Sequence, residues 1–245
     1  MKTVILGDIH GRDCYKQIIV DEQPDRVIFI GDYFDSYDYT AAEQMWNFES
    51  IINFKLSGKA EVIILVGNHD YHYMRGVTEH YSGYQHGAAP AIQQLLEDNK
   101  HHLQMCYQMG VFMFSHAGIS KEWLLLHGWN NEYISDFVND MWKYKPNAFA
   151  FAGRDPYGGS TISSPIWIRP SSLQKANRDT LRDQFIQVVG HTEQNKIDIK
   201  GKSTGGRYYY IDTLGTSGEY MILEQISIDN GEIKFNTYKN ETVTT

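Results

Sequence analysis

The chain has 245 residues, of which 42% are hydrophobic, enough for one substantial core. Its formal net charge of −8 argues against a nucleic-acid binder, whose affinity rests on Lys and Arg meeting phosphates. No apolar run reaches a membrane-spanning length, and the short run before Gly7-Asp8 lacks the h-region of a signal peptide. A cytoplasmic protein without a membrane partner is therefore expected, as one domain over residues 1–245 that ends in a loose tail of roughly eight residues.

Short β-branched runs punctuate the chain, and five of them end in Gly or Ser followed by a polar residue. The first, Thr3 to Leu6, runs into Gly7-Asp8. A helix is expected next, over Asp13 to Val20. Arg26 to Ile30 then runs into Gly31-Asp32, and Ala41 to Leu56 reads as a second helix. Glu61 to Val66 leads into Gly67-Asn68, and Pro90 to Leu96 reads as a third helix. Val111 to Phe114 ends at Ser115-His116, and Phe185 to Val189 at Gly190-His191. Four to six apolar residues bounded by a turn former predict buried strands, and their alternation with helices predicts a mixed α/β fold. Residues 144–182, with their glycines, prolines and Ser/Thr cluster, form the least regular stretch and read as a functional loop. The tail changes character. Arg207 to Ile211, Glu219 to Ile226 and Glu232 to Tyr238 read as consecutive strands without intervening helices, and Asp229-Asn230-Gly231 is a hairpin turn. A second, more antiparallel sheet built partly from the C-terminus is expected.

Cys14 and Cys106 match no zinc spacing and read as two free thiols. The sequon Asn240-Glu241-Thr242 has no evident use without secretion.

The chemistry sits at the strand ends. Asp8, His10, Asp32, Asn68, His116 and His191 each lie just past a predicted strand, and such residues converge on one crevice of an α/β sheet. Taken singly, Asp8, Asp32 and Asn68 are ordinary turn or cap residues, and His116 and His191 could be core histidines. Taken together, carboxylate, imidazole and amide oxygen suit divalent ions such as Mn²⁺, Fe²⁺ or Zn²⁺. A carboxylate can bridge two such ions, which then clamp the attacking and leaving oxygens of a displacement.

The blocks Gly7-Asp8-Ile9-His10-Gly11, Gly31-Asp32-Tyr33-Phe34-Asp35, Gly67-Asn68-His69-Asp70, Ser115-His116-Ala117-Gly118 and Gly190-His191-Thr192 resemble the ordered motifs of calcineurin-like metallophosphoesterases. Within that superfamily they are most similar to bacterial and phage phosphoprotein phosphatases and symmetrical dinucleoside tetraphosphatases. The resemblance implies two stacked mixed β-sheets flanked by helices, a four-layer sandwich. It implies two divalent ions, Mn²⁺ first, with Fe, Zn or Ni as alternatives. Asp8 and His10 would hold the first, Asp32 would bridge, and Asn68, His116 and His191 would hold the second. His69 would be the general acid, held by Asp35. The expected activity is phosphomonoester hydrolysis on a phosphorylated protein or a small phosphoester. Dinucleoside polyphosphate hydrolysis is the alternative, ahead of a phosphodiesterase or a silent scaffold.

Three departures from the family pattern stand out. Glu193 occupies the place where many members carry a further histidine, Ser36-Tyr37 follows the second block where eukaryotic protein phosphatases carry Arg-Gly, and Asp70 replaces a usual Glu. The phosphate grip then passes to Arg169, in a stretch that resembles the Leu-Trp-x-Arg of bacterial relatives, with Arg154 and Arg12 as further candidates beside Asn68. His72, close by in sequence, reads as a packing residue. His80, His86, His101, His102 and His127 read as bystanders.

Overall fold

The structure, a computed structural model, describes residues 1–151, 159–176, 181–200, 207–229 and 232–240. The chain opens with β1 (Lys2–Leu6), α1 (Tyr15–Glu22), β2 (Arg26–Phe29), α2 (Ala41–Leu56), β3 (Glu61–Leu65), α3 (Asn68–Tyr71) and α4 (Ala89–Asn99). Three short strands follow, β4 (Leu103–Gln104), β5 (Cys106–Met109) and β6 (Phe112–Ser115), then helices α5 (Lys121–Leu126) and α6 (Ile134–Tyr144). After α7 (Pro170–Ala176) and α8 (Leu181–Gln184) come β7 (Ile186–Val189), β8 (Asp198–Lys200), β9 (Tyr208–Tyr210), β10 (Tyr220–Asp229) and β11 (Glu232–Asn240).

The strands make two mixed sheets. The first has six strands in the order β11-β10-β1-β2-β3-β4, the second five in the order β5-β6-β7-β9-β8. β1 to β4 run parallel, as do β6, β7 and β9. Period-two alternation assigns the faces. Ile5, Ile28, Ile63 and Leu65 meet Phe112, Phe114 and Val188 of the other sheet in one buried cluster between the sheets. The intervening Val4, Leu6, Val27, Phe29 and Ile64 face outward, against Tyr15 and Ile18 of α1, Phe48 and Ile51 of α2 and Ile92 of α4. The outer face of the second sheet is covered in turn by α7, where Leu173 packs on Val189 and Tyr208. The result is the helix–sheet–sheet–helix sandwich. Each fully buried aliphatic side chain contributes roughly 1.5–3 kcal/mol, so the doubly covered sheets carry most of the hydrophobic stabilisation.

Local signals place the helices. Thr40 and Glu43 form a complete capping box at the start of α2. Ser120 accepts the Trp123 N–H at the start of α5. Cross-strand neighbours Arg26 and Glu61 pair at 2.6 Å and seal the far end of β2 and β3 from the site.

The C-terminal strands depart from expectation. They do not make a sheet of their own. β9 joins the second sheet parallel to β7, whereas β10 and β11 extend the first sheet as a hairpin, with β10 antiparallel to β1. β10 takes the edge of β1, and Met221 and Leu223 fill the inter-sheet cluster from there. Asp229 pairs with Glu232 across the expected turn, whose residues Asn230 and Gly231 lie outside the described residues. Arg154 and Tyr157, in the loop 144–182, also lie outside them, as do Glu241 and Thr242 of the sequon. Cys14 and Cys106 are free, as expected. Among the described residues, no helix is long and apolar enough to cross a membrane.

Candidate active site

The carboxyl ends of the parallel strands of both sheets point the same way, so the turns after β1, β2, β3, β6, β7 and β9 meet. They line a cavity of about 530 Å³. Asp8, His10, Asp32, Asn68, His69 and His191 all reach it, together with Arg12, Arg169, Glu193 and Asp212. His116 lies just beneath, fully buried.

Backbone conformation at these turns is costly. His10, Asp32, Asp35 and His191 adopt φ of 42°, 54°, 64° and 64°, a left-handed region that side chains other than glycine seldom occupy. Strain of this kind clusters where function requires it. Two glycines make room for the acids. A Cβ on Gly67 would come within 2.0 Å of Asp32 Oδ1, and one on Gly190 within 2.0 Å of Asp8 Oδ1. The Asp70 carboxylate joins two turns. It accepts the main-chain N–H of Asp32 at 2.8 Å, of Tyr33 at 2.7 Å and of Gly67 at 2.8 Å. Gln187 ties the His116 loop to β7, accepting from Ile119 N at 2.8 Å and donating to Ile119 O at 2.9 Å. Across the chain, His191 N donates to both Asp8 oxygens at 3.1 Å.

The imidazoles are oriented by main-chain carbonyls. His10 Nδ1 sits 2.7 Å from Phe34 O, His116 Nδ1 3.1 Å from Ile30 O, and His191 Nε2 3.2 Å from Trp167 O. Each carbonyl accepts a ring N–H, which leaves the other ring nitrogen with its lone pair turned inward. Those inward atoms meet further acceptors. His116 Nε2 lies 3.0 Å from Asn68 Oδ1 and 3.3 Å from Asp32 Oδ2. His191 Nδ1 lies 2.9 Å from the same Asn68 Oδ1, and His10 Nε2 lies 3.7 Å from Asp32 Oδ2. Asp8, Asp32 and His116 offer ligand atoms within 4.8 Å of one another. Donor atoms of four side chains converge here, and a cation is what such a donor set fits.

The electrostatics agree. Burial pushes the Asp8 carboxyl well up, and Asp212 and Asp32 push it further. Burial works against the charge on Asp32 too, but His116, His69 and His10 outweigh it and hold Asp32 well below the usual carboxylate range. For His116, burial disfavours the charge, yet Asp32 and Asp8 overcome it and raise the ring to about 9. The field that would hold a metal ion draws a proton in its place. Burial, His116 and Arg169 keep His191 well below its ordinary value, as a ligand imidazole requires.

At the rim, His69 Nδ1 bonds Asp35 Oδ2 at 2.8 Å. Burial opposes its charge, but Asp32 and the Asp35 hydrogen bond raise it to about 9. Its side chain is 20% exposed, so the ring both faces the cavity and is held from behind. Arg169 Nη1 reaches His191 O at 3.2 Å and Thr192 Oγ1 at 3.1 Å, and Arg12 packs on Gly215. Both guanidinium groups line the cavity. Thus every predicted residue among the described ones is brought to one place. Asp212, Tyr81 and Ser82 were not anticipated. Asp212 had a readable signal, because it follows the strand ending at Ile211 just as Asp8 follows the first strand. Tyr81 and Ser82, in a loop between helices, had none.

A family model described as calcineurin-like phosphoesterase matches residues 1–212. No curated protein sequence matches. The cold-active protein-tyrosine phosphatase of a psychrophilic Shewanella species superposes with a TM-score of 0.61 at 16% identity, covering 98% of this chain and 80% of that one. A protein serine/threonine phosphatase of Saccharomyces cerevisiae gives a TM-score of 0.54 at 15% identity, covering 100% and 81%. At these identities the likeness speaks for the fold alone. The match over residues 1–212, which takes in all five strand-end turns of the motif series, establishes that the chain belongs to the calcineurin-like phosphoesterase family, hydrolases of phosphoric esters.

Proposed function

We propose that the chain is a single catalytic unit that hydrolyses phosphomonoesters, either phosphoserine and phosphothreonine in proteins or small phosphoesters, with two divalent ions. The family and the Asp8–Asp32–His116 donor group support a dinuclear centre. Asp8, His10 and Asp32 would hold one ion, and Asp32, Asn68, His116 and His191 the other. Manganese is the proposed metal, and the cytoplasm the proposed compartment. When bound, two such ions supply Lewis acidity toward phosphoryl oxygens and bring the pKa of water toward neutrality.

The residues of the chain do the rest. Arg169 and Arg12 line the cavity and offer planar forks to the free phosphoryl oxygens. As a water oxygen bonds to phosphorus and the ester P–O bond breaks, His69, protonated, would give a proton to the leaving oxygen, and Asp35 holds its Nδ1 so that Nε2 faces the cavity. The carrying observation is the cluster of inward lone pairs around Asn68 Oδ1, drawn from His116 and His191. Dinucleoside polyphosphate hydrolysis is a second reading, favoured by Tyr81 and Trp167, which give the cavity an aromatic wall suited to a base.

The test is a turnover comparison with Mn²⁺ on an aryl monoester, a phosphopeptide, a dinucleoside tetraphosphate and a bis-aryl diester. The monoesters should lead. Asp32→Asn should abolish turnover of an aryl monoester, and His69→Asn should abolish it where the leaving group needs a proton. Full activity after exhaustive chelation would sink the two-metal reading, and a strong diester preference would overturn the monoesterase assignment.

A further inference from the structure

Asp35 is held by more than His69. Its Oδ2 lies 2.8 Å from His69 Nδ1 and 2.6 Å from His72 Nε2, and its Oδ1 accepts the Tyr73 hydroxyl. The His69 contact is a hydrogen bond, whereas His72 Nε2 meets the same oxygen as a close polar contact that is not aligned as one. All three groups come from residues 69–73, the short helix α3 and the turn after it. His72 is fully buried, and its Nδ1 accepts the Tyr81 main-chain N–H at 3.2 Å. Burial holds the ring below its ordinary value, which favours the neutral imidazole. A neutral ring has one N–H, and with Nδ1 accepting, that proton sits on Nε2, the atom 2.6 Å from Asp35 Oδ2.

The segment that sets His72 also reaches the cavity. Tyr81 stacks on the His72 ring with centroids 5.1 Å apart and planes 16° apart. Four residues on, Gln85 N donates to the Tyr73 hydroxyl at 2.8 Å. Between them Gly83, at φ +86°, presses so close that a Cβ there would lie 2.8 Å from Asp35 Cβ. Asp35 Oδ1 is therefore tied through Tyr73 to the backbone of the 81–85 turn, and Oδ2 abuts His72, whose ring that turn holds. Tyr81 and Ser82 of that turn line the cavity.

We propose that His72 is a positioning residue for His69: it fixes the Asp35 carboxylate in the plane that keeps His69 Nε2 facing the leaving group, and it takes its own orientation from the Tyr81 main chain. The inference rests on His69 being the proton donor. A group that positions an acid matters most where the leaving group needs a proton. Removing it selectively harms esters of weakly acidic alcohols or phenols and spares esters of strongly acidic ones.

The experiment compares kcat/KM of the Mn²⁺-loaded enzyme on phenyl phosphate and on 2,4-dinitrophenyl phosphate. Four chains are compared: wild type, His72→Gln, His72→Asn and His69→Asn. The glutamine amide N–H takes the place of imidazole Nε2, whereas the asparagine amide reaches only the place of Nδ1. His72→Gln should stay within about threefold of wild type on both esters. His72→Asn should lose about tenfold or more on phenyl phosphate and little on the dinitrophenyl ester, with bound metal and melting temperature matching His72→Gln. Equal behaviour of the two amide variants, or equal loss on both esters, assigns His72 to packing and overturns the proposal. If His69→Asn is selective and His72→Asn is not, this proposal falls and the acid assignment stands. If His69→Asn shows no selectivity, the acid assignment falls and takes this proposal with it. Independently of any variant, long-range ¹H–¹⁵N spectra of the Zn²⁺-loaded wild type should show His72 protonated at Nε2, and protonation at Nδ1 alone overturns the proposal.

Discussion

Replacing Asp70 by Asn tests what holds the turn that presents Asp32. The carboxylate is fully buried and accepts three main-chain N–H groups, two on Oδ2 from Asp32 and Gly67 and one on Oδ1 from Tyr33. Asparagine has one acceptor oxygen. Placed at Oδ2, it keeps two bonds but without their charge, a loss of about 1 kcal/mol each. Its NH₂ then faces the Tyr33 N–H, leaving a buried donor unsatisfied at a cost of about 1–3 kcal/mol. Against this stands the relief of a buried charge, since burial and Asp32 push the Asp70 carboxyl up to about 7. The three bonds are expected to outweigh that relief, leaving a loss of more than about 1 kcal/mol out of the about 5–15 kcal/mol typical of a folded protein. The assay is urea unfolding of the metal-free protein at about pH 8, above that raised pKa, so that the wild-type carboxylate carries its charge. An unchanged m-value with a lower midpoint reports the loss. A change below about 1 kcal/mol would mean that desolvation cancels the three bonds and that something else holds the turn.

Further outcomes follow from the same geometry. Gly190→Ala places a methyl 2.0 Å from Asp8 Oδ1, so metal affinity by calorimetry should fall about tenfold or more while the far-ultraviolet dichroism stays native. Chelation should lower the melting temperature, and Mn²⁺ at about a hundred times its Kd should restore about 2.7 kcal/mol; a melting curve blind to metal would contradict the donor cluster. Phe48→Ala, under α2 against Tyr33 and Phe34, should cost about 3–5 kcal/mol in chemical unfolding. Arg169→Lys keeps a charge but loses the fork, so the KM for an aryl phosphate should rise several-fold with bound metal unchanged.

Much of the site was legible because it hangs on strands of unambiguous type. Val-, Ile- and Phe-rich runs before Gly7, Gly31, Gly67, Ser115 and Gly190 mark doubly buried strands, and the polar residue beyond each is the one that lines the cavity or lies just beneath it. β4 and β5 were not legible, since each is short and carries Gln104 or Gln108 where an apolar run would be expected. α6 had a readable stripe, with Ile134, Val138, Met141 and Trp142 at helical spacing, and it is the buried face observed. The destination of β10 and β11 was hidden because a hairpin signal says nothing about which sheet edge it joins. His72 and Tyr81 act through contacts between loops, which no local pattern encodes.

The His191 N–H that rests on Asp8 joins residues 183 positions apart. A chain emerging from the ribosome makes the first sheet's turns early, but it presents only Asp8, His10, Asp32 and Asn68. His116 and His191 arrive with the second sheet, and β1 gains its antiparallel neighbour only when β10 follows. Such non-local closure is slow and comes last. The full donor set at Asp8, Asp32, Asn68, His116 and His191 therefore exists only once both sheets are in place.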